Sequence, residues 1–154
     1  SSGQGCPICR QSKGEKTVAG FLDSFCIHYE RQKRFKDCKD KSYLPFDFYF
    51  MLDSRVFLVE YDGAGHYKEM PQWGKNSLKN VKRKDRIKDR FAKSNGFILI
   101  RIPYTEKGIN AFLQRNIEQH LNCSLFELIP LSDSINSIRK FDPLHFYQLS
   151  FDEV

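Results

Sequence analysis

Two carboxylates and an imidazole crowd the run LVEYDGAGHY at 58–67: Glu60, Asp62 and His66, with glycines at 63 and 65. Alternate residues of an extended chain share a face, so Leu58, Glu60 and Asp62 point one way while Val59 and Tyr61 point the other. Carboxylates side by side repel each other, and burying them is costly unless a cation or a proton intervenes. A third carboxylate, Asp47, lies in LPFDFYFML at 44–52, where Leu44, Phe46, Phe48 and Phe50 alternate with Pro45, Asp47 and Tyr49. A Leu-Asp-Ser turn at 52–54 joins the two runs as a hairpin. Antiparallel neighbours about 5 Å apart would let Asp47, Glu60 and Asp62 converge on one divalent cation, Mg²⁺ or Mn²⁺. An edge strand with a solvated acidic face is the alternative.

His66 follows glycines that let the backbone turn sharply at a strand end. An imidazole transfers protons near neutral pH; a surface imidazole beside Tyr67 would do no chemistry. Phosphodiester hydrolysis needs an activated water, stabilisation of developing charge and a proton for the departing 3′ oxygen, which a metal and a histidine together supply. The charge distribution fits such a substrate. Between Tyr67 and Lys93 ten lysines or arginines stand against three acids, Glu69, Asp85 and Asp89. Of the formal net charge of +6, Ser124–Val154 contributes −3, leaving +9 on the first 123 residues. A basic band beside acids suits a polyanion held while a metal acts on it; a solvated helix face explains the band equally well. Lys82, Arg83, Lys84 and Arg86 read as phosphate contacts.

These residues need a scaffold. Ser12 with Glu15 three residues on forms a capping-box pattern, and Val18, Phe21, Leu22 and Phe25 follow at helical spacing. A strand is expected in IHYERQKRFKDC, then the two hairpin strands. A basic helix opens at Asn76 or Ser77, runs to about Ser94 and stops at Asn95-Gly96. FILIRIPY reads as a buried strand ended by Pro103, and a last amphipathic helix follows with Thr105 as its cap. The order α-β-β-β-α-β-α predicts an α/β (α+β) domain, a central mixed sheet flanked by helices. FYQLSF at 146–151 is a candidate extra strand.

A chain of 154 residues, 40% hydrophobic and holding 14 phenylalanines, is long enough for one domain with a real core. No apolar run approaches the roughly 20 residues of a membrane helix, and no signal peptide opens the chain. Five cysteines, an odd number, suit a reducing compartment, so the protein is expected inside a cell and not secreted. Ser1–Gly3 reads as an expression scar.

The series SKGE, LPFDFYF, LVEYDGAGHY and RKDRIKDRFAKSNGFILIRIPY resembles the Vsr-like branch of the PD-(D/E)xK nucleases, most of all homing endonucleases of phages and introns with an E-D-x-H-D pattern. The resemblance runs from about Cys6 to Tyr104. It implies a restriction-endonuclease-like fold and places Glu15, Asp47, His66 and Asp85 as the four pattern residues. Glu60 and Asp62 take the strand where the wider superfamily carries (D/E)-x-K. Asp62 stands where the lysine would be, so another group must handle the water, and His66 is the candidate. Glu15 reads equally well as a helix cap. Asp85 reads as a partner of helix lysines and enters the site only through the family pattern.

Two features stay open. Cys6 and Cys9 in CPIC have the spacing of half a zinc site, or are two reduced cysteines in a turn; Cys26, Cys38, His120 and Cys123 are the further ligand candidates. Trp73 either stacks on bases or packs onto the core. The expected organisation is a scar and zinc-ribbon remnant at 1–11, an endonuclease domain at 12–123 and an extension at 124–154. The expected function is Mg²⁺-dependent cleavage or nicking of double-stranded DNA by a monomer or weak dimer, encoded by a virus or acting in a bacterial cytoplasm. A mismatch-repair nicking enzyme and a binding module without activity are the alternatives.

Overall fold

The first helix is closed by its own side chains. Ser12 Oγ accepts from the Glu15 amide, and the Glu15 carboxylate accepts from the Ser12 amide. The computed structural model describes residues 12–128. In chain order it contains α1 (Lys13–Ser24), β1 (Tyr29–Lys33), β2 (Phe46–Leu52), β3 (Arg55–Asp62), α2 (Ser77–Ser94), β4 (Ile98–Pro103), α3 (Ile109–Leu121) and α4 (Leu125–Leu128). Two single helical turns, Ala64–His66 and Pro71–Trp73, interrupt the connection from β3 to α2. The Cys6–Cys9 pair and the FYQLSF segment lie outside the described residues. Among the described residues no helix is long and apolar enough to cross a membrane.

The four strands form one mixed sheet in the order β1-β2-β3-β4, with β1, β2 and β3 antiparallel and β3 parallel to β4. The β2–β3 hairpin turns through Asp53 and Ser54, with φ of 48° and 58°, the two left-handed residues that a tight two-residue hairpin requires. A parallel pair needs a long crossover, and α2 supplies it. Gly96, at φ 67°, lets the chain leave α2 for β4.

Alternation along the strands divides the core between the two faces of the sheet. Phe48, Phe50, Phe57, Val59, Ile100 and Ile102 are buried with Val18, Phe21 and Leu22 of α1 and Leu113 and Ile117 of α3. Leu58 packs on the other side with Phe91 and Ala92 of α2, Cys38 and Leu44. Two expectations fail here. The alternation does not extend back to residue 44: Leu44 and Phe46 join the α2-side cluster, and β2 starts at Phe46. Pro45 has no N–H to continue a ladder, and the Leu44 amide is held instead by Cys38 O at 3.0 Å. Thr105 does not cap α3, which begins at Ile109 after Gly108. The Glu106 carboxylate turns back to accept from the Gly108 amide at 2.8 Å and closes that turn.

Because β2 runs against β3 and β4, its first residues lie beside their last. Asp47, Glu60, Asp62, Arg101 and the first turn of α1 therefore meet at one end of the sheet.

Candidate active site

The β2–β3 ladder pairs Leu52 with Arg55 and runs as far as Phe48 with Val59. One step on, the register sets Asp47 opposite Glu60. There a side chain takes a backbone donor: the Tyr61 amide donates to Asp47 Oδ2 at 2.8 Å, and Gln32 Nε2 donates to Oδ1 at 3.1 Å. Glu60, on the α2 face of β3, is only 4% exposed. Lys88 reaches down from α2 and donates from Nζ to Glu60 Oε1 at 2.5 Å. Burial pushes the Glu60 carboxyl up to about 7, with Lys88 pulling it down and Asp47 pushing it further up. Asp47 is also raised, by burial first, against the Tyr61 hydrogen bond and with the charge of Glu15 adding to the rise.

Glu15 arrives through close packing. A Cβ at Gly14 would come within 2.2 Å of the Tyr61 ring, so only glycine lets the first turn of α1 lie against β3. The Glu15 carboxylate closes the helix cap and accepts from Arg31 Nη2 at 3.2 Å. Glu15 is thus the helix cap, and its charge is felt by Asp47.

A second cluster adjoins the first. Arg101 of β4 lies beside Glu60 in the parallel ladder and donates from Nη1 to Asp62 Oδ1 and Oδ2 at 3.0 and 3.3 Å. The same guanidinium meets Asp89 at 3.0 Å and Asp85 at 3.4 Å. His66 Nδ1 stands 3.0 Å from Asp85 Oδ2 and 3.5 Å from Asp62 Oδ1. That hydrogen bond to Asp85 raises the imidazole pKa against the lowering effect of burial, and Asp62 adds to the rise. For Asp85 burial acts upward, but the His66 hydrogen bond and the Arg101 charge leave the carboxyl below its ordinary value. With Nδ1 committed to carboxylates, Nε2 is the ring nitrogen left without a hydrogen-bond partner among the described residues.

The chain shares 39% identity over 62 residues with "Uncharacterized protein 307L" of Invertebrate iridescent virus 6. That match takes in 39% of this chain and 32% of the viral protein, so it spans about a third of that protein's length. No protein-family model matches the chain, and no solved structure does.

The three carboxylates expected around one cation are divided between the clusters: Asp47 and Glu60 face each other, while Asp62 is engaged by Arg101 and His66. Among the described residues no three Asp, Glu, His or Cys side chains form a group able to hold a metal ion. The structure brings Asp85 to within 3.0 Å of His66 Nδ1. On α2, Lys82, Lys84 and Arg86 are exposed; Lys82 Nζ lies over the Tyr67 ring at 5.3 Å, and Arg83 is paired with Asp40 at 2.7 Å. Trp73 is 59% exposed and is not part of either core cluster. Of the further zinc candidates, Cys38 is buried and Cys26 exposed.

Sequence reading missed Lys88 and Arg101. Lys88 is one of eight basic residues in α2, and nothing local sets it apart. Arg101 carried a signal: it is the one charge in FILIRIPY, and a charge in a buried strand needs a partner.

Proposed function

We propose that residues 12–123 form a metal-dependent endodeoxyribonuclease of restriction-endonuclease-like fold, from the Vsr-like branch, with a homing or mobile-element enzyme as the first choice. The observation that carries this reading is the meeting of Asp47, Glu60 and Lys88 at one sheet end with a carboxylate-held histidine beside them. In this reading Lys88, delivered from α2 onto Glu60, would supply the cation that the strand lacks, and His66 the proton transfer.

The donor set fits Mg²⁺ or Mn²⁺. Mg²⁺ favours oxygen ligands and commonly uses one or two carboxylates, completing its shell with water and substrate phosphate. Asp47 and Glu60 would hold it, and their burial at elevated pKa is the state a divalent cation relieves. When bound, the ion would polarise a phosphate oxygen and acidify a bound water. The remaining work belongs to the protein. Lys88 Nζ balances the charge of Glu60. His66, held above the ordinary imidazole pKa by Asp85, keeps its proton to higher pH and delivers it from Nε2 to the leaving 3′ oxygen. Lys82, Lys84 and Arg86 hold the phosphate backbone.

A binding module without activity is the second reading. It is favoured by the closed Glu60–Lys88 pair, which already satisfies one of the two ligands. Nicking of supercoiled plasmid with Mg²⁺ or Mn²⁺, with and without EDTA, separates the two. Metal-dependent relaxation that is lost in Asp47→Ala supports the nuclease; plasmid retardation without nicking supports the binder.

A further inference from the structure

Gln32 has a backbone conformation that its strand does not require. Its φ of 52° is left-handed, a region that residues other than glycine, asparagine and aspartate seldom enter. Among the described residues the other non-glycine cases, Cys26, Asp53, Ser54, Asn76 and Asn122, stand at helix ends or in the hairpin turn. Gln32 lies inside β1. The ladder pairs Arg31 with Phe48 and Lys33 with Phe46, so the rung between them sets Gln32 opposite Asp47. β2 departs from regular extension at that same rung: Phe46 packs on the α2 side, and Phe48, two residues on, packs on the α1 side. Both strands deviate where one side-chain contact is made, Gln32 Nε2 donating to Asp47 Oδ1 at 3.1 Å.

Burial does not account for this contact, because Gln32 is exposed and water could serve its amide. Charge is the more telling property. Within Glu30–Arg34, ERQKR, Gln32 is the one uncharged side chain. A lysine or arginine there would pair with Asp47 as Lys88 pairs with Glu60, and a metal ion would have to displace it. A neutral amide fixes one carboxylate oxygen and leaves the charge in place. The Tyr61 amide fixes the other oxygen at 2.8 Å. An ionised carboxylate accepts in about four lone-pair directions, so both oxygens keep capacity for a cation. Strained backbone of this kind persists where it pre-organises a functional group.

We propose that Gln32 is a positioning residue for the metal: its left-handed backbone aims a neutral amide at Asp47, which orients the carboxylate and leaves its charge to the cation. The proposal rests on the reading of Asp47 as a metal ligand. It adds to that reading a residue of β1 that lies outside the four E-D-x-H-D positions.

The test measures Mn²⁺ uptake without DNA, by titration calorimetry, in the wild type and in Gln32→Ala, Gln32→Gly, Gln32→Lys and Asp47→Ala. Loss of a hydrogen bond to a metal-holding side chain commonly weakens binding about 10–100-fold, so Gln32→Ala should lower Mn²⁺ affinity at least about tenfold. Glycine adopts the left-handed backbone freely. Gln32→Gly should therefore melt higher than Gln32→Ala in EDTA, yet bind Mn²⁺ as weakly. Gln32→Lys should bind it more weakly still, approaching Asp47→Ala. In cleavage, Gln32→Ala should need correspondingly more Mg²⁺ but regain most of the wild-type rate at saturation. Wild-type Mn²⁺ affinity in Gln32→Ala or Gln32→Gly overturns the positioning role. Uptake that is still lost in Asp47→Ala then shows that the nuclease reading stands without it. No uptake by the wild type, or uptake untouched by Asp47→Ala, removes both.

Discussion

Glu60 and Asp62 lie two residues apart on one face of β3, each 4% exposed, and they meet different company. Asp62 receives two hydrogen bonds from one guanidinium, with a histidine at its side. Glu60 has a single lysine, and the carboxylate opposite it, Asp47, is held by two neutral amides. The Arg101 cluster carries its own cation and presents a histidine. The Glu60 cluster sets Asp47 against neutral amide donors, where a divalent ion would gain most.

That contrast is broken most directly at Asp47. Asp47→Ala should abolish Mg²⁺-dependent cleavage while DNA binding persists; near wild-type nicking would remove Asp47 from the metal site. In the other cluster, His66→Ala should slow cleavage roughly 10²–10⁴-fold, the range of general acid–base catalysis. Asp85→Asn should keep part of the rate but shift the ionisation in the pH–rate profile downward, because Asp85 raises the imidazole. A profile unchanged in both variants would make the histidine a bystander.

Stability offers a second contrast. Arg101→Met strands Asp62 and Asp85 and should cost about 3–5 kcal/mol in urea unfolding, as loss of one partner of a buried pair does. Lys88→Met should cost less, about 1–3 kcal/mol, because Glu60 can take up a proton. Equal losses would mean that Glu60 stays ionised.

The pH dependence follows from the Glu60 shift. Its folded value of about 7 lies above the ordinary 4.5, so its contribution to stability is full below 4.5 and is lost as pH rises through 7. The apo protein should lose on the order of 3 kcal/mol across that window, and Glu60→Gln should flatten the slope. An unaltered slope would assign the titration elsewhere, first of all to His66, whose raised pKa acts with the same sign.

The smallest effect is expected on the outer face of α2. Lys82→Ala and Arg86→Ala should each reduce the slope of log K against log salt by about one. Arg83, tied to Asp40, should contribute less. A salt slope untouched by all three would turn that face away from DNA.

Local physics made much of this legible. Alternation at 58–62 put Glu60 and Asp62 on one face, Ser12 and Glu15 announced a cap, and Asn95-Gly96 announced a helix end. What escaped was set by contacts distant in sequence. The Glu60–Lys88 bond joins residues 28 apart, and helical periodicity cannot say which lysine of a basic helix faces a carboxylate. The division of three carboxylates between two clusters depends on Arg101, which arrives only when β4 pairs with β3. Pro45 was visible, but that the chain before it would cross to the other core was not.

Cys38 gives the closed site a chemical clock. Its thiol is fully buried in the α2-side cluster, whereas Cys26 is exposed. The charges of Lys88 and Glu60 both act on it. An alkylating reagent added to native protein meets Cys26 at once, but it meets Cys38 only when the cluster that α2 and the β1–β2 connection build around it opens. The ratio of the two labelling rates measures how often that cluster opens. Any ligand that draws Asp47, Glu60 and Lys88 together must slow the labelling of Cys38.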